Sequence, residues 1–95
     1  MAKGYLVAHI QVHDEDGFEK FKAMSGPVIS EYCGKVLVRN PNSETREGDL
    51  SGITIIIEFE SMEDARKFYE SDKYTEARIV RELAAETNLI LVEGI

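Results

Sequence analysis

The sequence predicts an α+β fold of the ferredoxin-like kind, a four-stranded antiparallel sheet built in the order β-α-β-β-α-(α)-β, and three observations carry that reading. Apolar side chains recur with a two-residue period over 4–12 and again over 53–59. After each of these runs an acidic or serine cap opens a stretch with helical spacing. A polar segment from Asn40 to Gly52, rich in turn residues, separates two short β-branched runs. Strands and helices alternating in this way form the split βαβ arrangement, with both helical segments on one face of the sheet.

The first strand spans Gly4 to Val12, where Leu6, Ala8, Ile10 and Val12 alternate with Tyr5, Val7, His9 and Gln11. Asp14-Glu15-Asp16 then supplies a cap and first-turn negative charge for a helix carrying Phe18, Phe21, Val28, Ile29 and Tyr32 and ending near Gly34. Gly26-Pro27 falls inside it, and because proline lacks the amide donor a kink is expected there. Lys35 to Arg39 reads as the second strand and Ile53 to Phe59, strongly β-branched, as the third. Ser61 followed by Asp64 resembles a capping box and starts a helix running to about Glu70. Ser71-Asp72 caps one more helix carrying Tyr74, Ala77, Val80, Leu83 and Ala84, and Leu89 to Val92 forms the last strand.

At 95 residues the chain is expected to form one domain over 1–95, burying about two-thirds of the surface its unfolded form exposes. Eighteen acidic against eleven basic residues give a formal charge of −7, which disfavours phosphate backbones and anionic lipid surfaces, so neither nucleic acid nor membrane is an expected partner. Met1-Ala2-Lys3-Gly4 leads directly into the first strand without a continuous apolar stretch, and Cys33 is the sole cysteine. Both features point to the cytoplasm. The third strand places Ile53, Ile55, Ile57 and Phe59 on one side and Ile56 on the other, and Ile90 and Val92 oppose Leu89 and Leu91. With helices on one face only, the second apolar face calls for a partner, and a homodimer packed sheet against sheet is the simplest cover.

Few residues carry chemistry. Tyr74, Arg78 and Arg81 lie at spacings of four and three on one predicted helix, presenting a phenol and two guanidinium forks suited to a small carboxylate. The alternative is that they are solvated or pair with Glu82, Glu76 or neighbouring loop carboxylates. Arg39 ends the second strand, where it either closes a pocket or locks the Glu47 loop. Tyr69 joins Tyr74 as a hydroxyl-tipped wall or as core. His9 is the candidate general base, since imidazole exchanges protons near neutral pH, and packing is its alternative. His9 and His13 lie about 13 Å apart along a strand, too far to share a metal. Cys33, near a helix C-terminus where a thiolate is disfavoured, reads as packing. Neither the Glu44, Glu47 and Asp49 cluster nor any other spacing indicates a metal or a cofactor.

Several short motifs occur together: Gly4-Tyr5, Phe18 and Phe21, Gly34, Leu37-Val38-Arg39, Glu47-Gly48, Glu58-Phe59, Ala65, Tyr69 with Ser71 and Tyr74, Arg81, and Val92-Glu93-Gly94. The combination resembles the domain of unknown function 1330 family, within the dimeric α/β-barrel superfamily. That resemblance implies ferredoxin-like subunits, dimerisation through the sheets, and a cavity between sheet and helices, without implying an activity. Related branches include cofactorless oxygenases and small-molecule degradation enzymes, an analogy of fold. The chain departs from the family at Cys33-Gly34-Lys35, where Gly-Gly-Arg is usual, and at Ile53, where a basic residue is common. The expected function is binding of a small organic molecule, an anion among the candidates, through Arg39, Tyr69, Tyr74, Arg78 and Arg81. The alternatives are a cofactor-independent oxygenase- or isomerase-like enzyme using His9, or an interaction module.

Overall fold

The computed structural model describes residues 2–95; Met1 lies outside them. The elements are β1 (Gly4–Val12), α1 (Glu15–Glu31), β2 (Lys35–Asn40), β3 (Ile53–Phe59), α2 (Met62–Glu70), α3 (Asp72–Ala84) and β4 (Ala85–Glu93). The strands form one sheet in the order β2-β3-β1-β4, and every neighbouring pair is antiparallel. β3 thus lies between β1 and β2, the two strands that α1 connects, as the split βαβ pattern requires. The sheet and one layer of helices form a slab of 36 × 32 × 16 Å.

The strand register sorts side chains onto the two faces, because directly paired residues project from the same side. Leu6 pairs with Ile57 and Leu91, Ala8 with Ile55 and Leu89, and Ile10 with Ile53 and Thr87. These rows floor the helix-covered face, where Leu6, Ala8, Ile10, Ile57 and Phe59 are buried. A bulge between Val36 and Val38 shifts β2 so that Val36 and Arg39 join that face, opposite Ile57 and Ile55. The other face carries Tyr5, Val7, His9 and Gln11 beside Glu58, Ile56 and Thr54 on one flank and Val92, Ile90, Asn88 and Glu86 on the other. Ile90 and Val92 are exposed there.

Three caps set the helix starts. Asp14 accepts from the Gly17 amide with Glu15 and Asp16 in the first turn, Ser61 accepts from Asp64, and Ser71 accepts from Tyr74. Each satisfies a donor that the helix itself leaves orphaned. The core is aromatic: Phe68 lies with its ring centroid 5.1 Å from Phe59 and 4.5 Å from Tyr74. Gly52 joins the loop to β3 with φ +95, and a Cβ there would collide with the Ile10 carbonyl. Only glycine combines that backbone with so close an approach.

The structure departs from the sequence expectations at two junctions, Cys33 and the start of β4, whereas Gly26-Pro27 lies inside α1, one helix from Glu15 to Glu31. Proline removes a single amide donor, and Ser25 and Val28, buried on either side, keep the helix seated on the core. Cys33 is exposed rather than packed, because it takes the left-handed conformation (φ 59) that ends α1 while the Gly34 amide donates to Ile29 at 2.8 Å. β4 begins at Ala85, four residues before the expected Leu89. The cause is tertiary: the Ala84 carbonyl accepts from both His13 and Asp14 at 3.0 and 3.1 Å, pinning the end of α3 to the turn after β1.

Candidate functional site

A cavity of about 240 Å³ lies between the sheet and the helices. Its floor is the row Arg39, Ile55, Ala8 and Leu89 with Leu6, Ile10, Ile53 and Ile57 on either side, and its roof comes from α1, α2 and α3. The alanine at position 8 is the reason for the space. Branched side chains surround it in the sheet, and a methyl group there leaves a well below Phe21, Phe68 and Tyr74. At this volume the cavity falls below the roughly 300–1,000 Å³ of drug-sized sites, so it suits a smaller molecule.

The polar groups divide by depth. Ser25, Tyr74 and Arg81, exposed by 5%, 3% and 4%, belong to the interior. Arg39, Gly26 and Pro41 are exposed and, with the half-buried Lys22, form the mouth beside edge strand β2. Lys22 is tied to Glu19 at 2.8 Å. The lining contains three cationic side chains and no carboxylate, imidazole or thiol, although the chain as a whole carries a charge of −7. That segregation makes the cavity a positive pocket in an acidic protein.

Arg81 is the unusual residue. Its Nη1 donates to the Tyr74 hydroxyl at 2.6 Å, and the guanidinium carbon lies 5.5 Å from the Phe21 ring and 6.0 Å from the Tyr74 ring. These aromatic faces offer weak compensation for a buried cation. The Nε atom is buried without a protein hydrogen-bond partner, and among the described residues no carboxylate forms an ion pair with Arg81. Burying a charge in this way costs free energy until an anion arrives. Tyr74 is fixed by the Ser71 cap at its amide and by Phe68 against its ring. Burial pushes its phenol up from the ordinary tyrosine value while the Arg81 charge pulls the other way, and the net direction is upward. Tyr74 is therefore a protonated hydroxyl at neutral pH.

Of the residues singled out from sequence, the structure brings Arg39, Tyr74 and Arg81 together around the cavity and leaves Tyr69, Arg78 and His9 out of its lining. Tyr69 and Arg78 make a second pair, with Arg78 Nη1 3.5 Å from the Tyr69 hydroxyl and the guanidinium over its ring at 5.5 Å. Helix geometry separates the pairs. At about 100° per residue, position 81 comes back to within about 20° of position 74, whereas position 78 is turned about 40° away. His9 lies between Thr54 and Asn88 on the face away from the helices, because its parity is opposite to that of Ala8. No ion pair joins Arg39 to Glu47 among the described residues; the loop's charges include an Arg46 to Glu44 pair at 3.0 Å. Sequence reading missed Ser25 and Lys22. Ser25 shares the buried stripe of Phe18, Phe21 and Val28, and a polar residue on an apolar stripe is the signal that could have found it.

Among the described residues no helix is long and apolar enough to cross a membrane. The chain is similar in structure to a protein of unknown function from Rhodopseudomonas palustris, with TM-score 0.78 and 16% identity over 99% of this chain and 83% of that one. It is also similar to SnoaB, a cofactor-independent oxygenase from Streptomyces nogalater, with TM-score 0.67 and 14% identity over 97% and 92% of the two chains. A third similar structure is a dimeric protein of unknown function and ferredoxin-like fold from Bacteroides fragilis, with TM-score 0.63 and 11% identity over 96% and 95%. At these identities the likeness establishes the fold. No curated protein matches the chain. The family model described as domain of unknown function 1330 matches residues 3–95.

Proposed function

The chain belongs to the domain of unknown function 1330 family, and on that footing we propose that it is a cytoplasmic homodimer that binds a small organic anion in the cavity between sheet and helices. One observation carries the reading: Arg81, 4% exposed, lines a cavity without a carboxylate, and its Nε atom has no protein partner. A bound anion supplies the missing countercharge, Tyr74 and Ser25 are placed to add hydrogen bonds, and the apolar walls take an aromatic or branched body. Arg39 and Lys22 at the mouth attract the ligand more than they hold it, since exposed charges are worth little once screened. Tyr69 and Arg78 support the wall from behind, with Tyr69 5.5 Å from the Tyr74 ring.

Dimerisation rests on the open face, where Val7 and Ile56 adjoin the exposed Ile90 and Val92, and on a structural neighbour described as dimeric. Light scattering at micromolar concentration should give twice the chain mass; a clean monomer contradicts this part of the reading. Neither nucleic acid nor a membrane surface is proposed as a partner, in keeping with the acidic balance.

The test of binding is thermal unfolding against a panel of small carboxylates, phenols and quinones. A ligand at a hundredfold excess over its Kd stabilises the folded state by about 2.7 kcal/mol, on the order of 10 °C for a chain of this size. The shift should vanish in Arg81→Ala, and silence across the panel contradicts the proposal. The enzymatic alternative, cofactor-independent chemistry with His9 as base, draws on the likeness to a cofactor-independent oxygenase. It needs a site on the open face, because His9 does not line this cavity, and turnover unchanged in a folded His9→Ala variant removes it.

A further inference from the structure

Hydrogen-bond direction around Tyr74 says more about the ligand. An arginine has only donors to offer, so in the 2.6 Å contact between Arg81 Nη1 and Tyr74 the phenol oxygen accepts. The hydroxyl hydrogen must then point elsewhere, and among the described residues no protein acceptor receives it. The Nε hydrogen of Arg81 likewise has no acceptor. Two donors, one of them charged, are thus held together by a short hydrogen bond on side chains that are both more than nine-tenths buried. The cavity contains no carboxylate or imidazole to accept a proton from anything bound there. A ligand head that itself carries an O–H or N–H finds only hydroxyl oxygens such as that of Ser25 to donate to, and it leaves the buried Arg81 charge without a counterion.

We propose that this site selects its ligand by ionisation state, taking aryl or enolic oxyanions (carboxylates, acidic phenols and enols in their conjugate-base form) and rejecting the neutral acid, amide or alcohol of the same shape. The inference rests on the binding reading above and narrows it to a chemical class. Two consequences follow. Affinity for a given acid is constant above that acid's own pKa and falls about tenfold per pH unit below it, because only the anion binds. A weak acid that enters is held ionised at a pH where it is neutral in water, its proton released to solvent. The site therefore prepares a phenol or enol as its more electron-rich anion, with Arg81 carrying the countercharge. Tyr74 stays protonated as the second donor, burial keeping its phenol above the ordinary range.

The experiment uses the full chain and 4-nitrophenol, whose anion absorbs in the visible while its neutral form does not, at a pH below the probe's own pKa. Equilibrium dialysis gives total bound probe, and absorbance gives the ionised fraction. The expected result is a rise of at least about tenfold in the ratio of anion to neutral phenol for bound over free probe, equivalent to one pKa unit. The rise should be reduced in Tyr74→Phe, which keeps the ring packing, and lost in Arg81→Met. Benzoate should displace the probe and benzamide should not. If dialysis detects bound probe that remains neutral, or if benzamide competes as well as benzoate, the selection by ionisation state is wrong while the cavity remains a binding site. If neither nitrophenol nor benzoate binds, the binding reading falls and takes this inference with it. Tyr74→Phe and the benzamide comparison decide the matter even if Arg81→Met fails to fold.

Discussion

Two tyrosine–arginine pairs sit a few residues apart in this protein, and they differ in what surrounds them. Tyr74 and Arg81 are buried, 2.6 Å apart, and line the cavity. Tyr69 and Arg78 are half-buried, 3.5 Å apart, and lie outside the lining. The functional groups are the same. The difference of about 60° between positions 78 and 81 around one helix decides which side chain is buried against the cavity and which stays half-buried outside it, although the Nε atom of each lacks a protein partner. A charge that keeps solvent has little to gain from a ligand, whereas one buried without a countercharge is an energetic debt that binding can settle.

The sharpest contrast is between Arg81→Met and Arg78→Met. Arg81→Met should abolish the thermal shift given by benzoate and also stabilise the unliganded protein by about 1 kcal/mol, because the cost of the buried cation outweighs the one hydrogen bond lost. Such opposition between stability and binding marks a functional residue. Arg78→Met should preserve binding and move stability by no more than about 0.5 kcal/mol. Denaturant unfolding with and without benzoate measures both quantities for both variants. Equal effects at the two positions break the comparison.

Next comes the cavity itself. Ala8→Leu places a branched side chain in the middle of the floor, where Ile55 and Leu89 flank it. Binding should fall at least tenfold while far-ultraviolet circular dichroism is unchanged and stability shifts by less than about 1.5 kcal/mol, since the added atoms enter space that is already open. Retained affinity places the ligand elsewhere. A smaller effect is expected at the cap that orients the buried pair. Ser71 accepts from the Tyr74 amide at 3.2 Å and donates to the Phe68 carbonyl at 2.7 Å. Ser71→Ala should cost about 1 kcal/mol, with a loss of affinity that follows from the loosened Tyr74.

The smallest effect is a pH dependence. Burial raises the Tyr74 phenol above its unfolded value near 10. Between the unfolded and folded pKa values the folded chain holds the extra proton, so stability falls as pH climbs above about 10, and below that range Tyr74 contributes no slope. Tyr74→Phe should flatten the alkaline fall in urea midpoints. An unchanged slope assigns the fall to other groups.

How much of this could be read from the sequence depends on whether a residue's role is set locally. β1 and β3 are legible because Leu6, Ala8 and Ile10, and Ile53, Ile55 and Ile57, alternate strictly. The three helix starts are legible because Asp14, Ser61 and Ser71 act on amides three residues ahead. The start of β4 is hidden, since Ala84-Ala85 carries no stop signal and the helix ends through hydrogen bonds from His13 and Asp14, some seventy residues earlier. Spacing found the helix that carries Tyr74, Arg78 and Arg81. It could not separate 78 from 81, because that depends on where α1 packs against α3. His9 illustrates the reverse limit: its parity was read correctly, but which parity faces the cavity is decided by the side on which the helices settle.

Benzoate titration calorimetry on the unmodified protein and its Arg81→Met and Arg78→Met variants tests the central claim most directly. The account predicts one site per chain for the unmodified protein and for Arg78→Met, and none for Arg81→Met although that variant is folded. Equal binding by all three contradicts it.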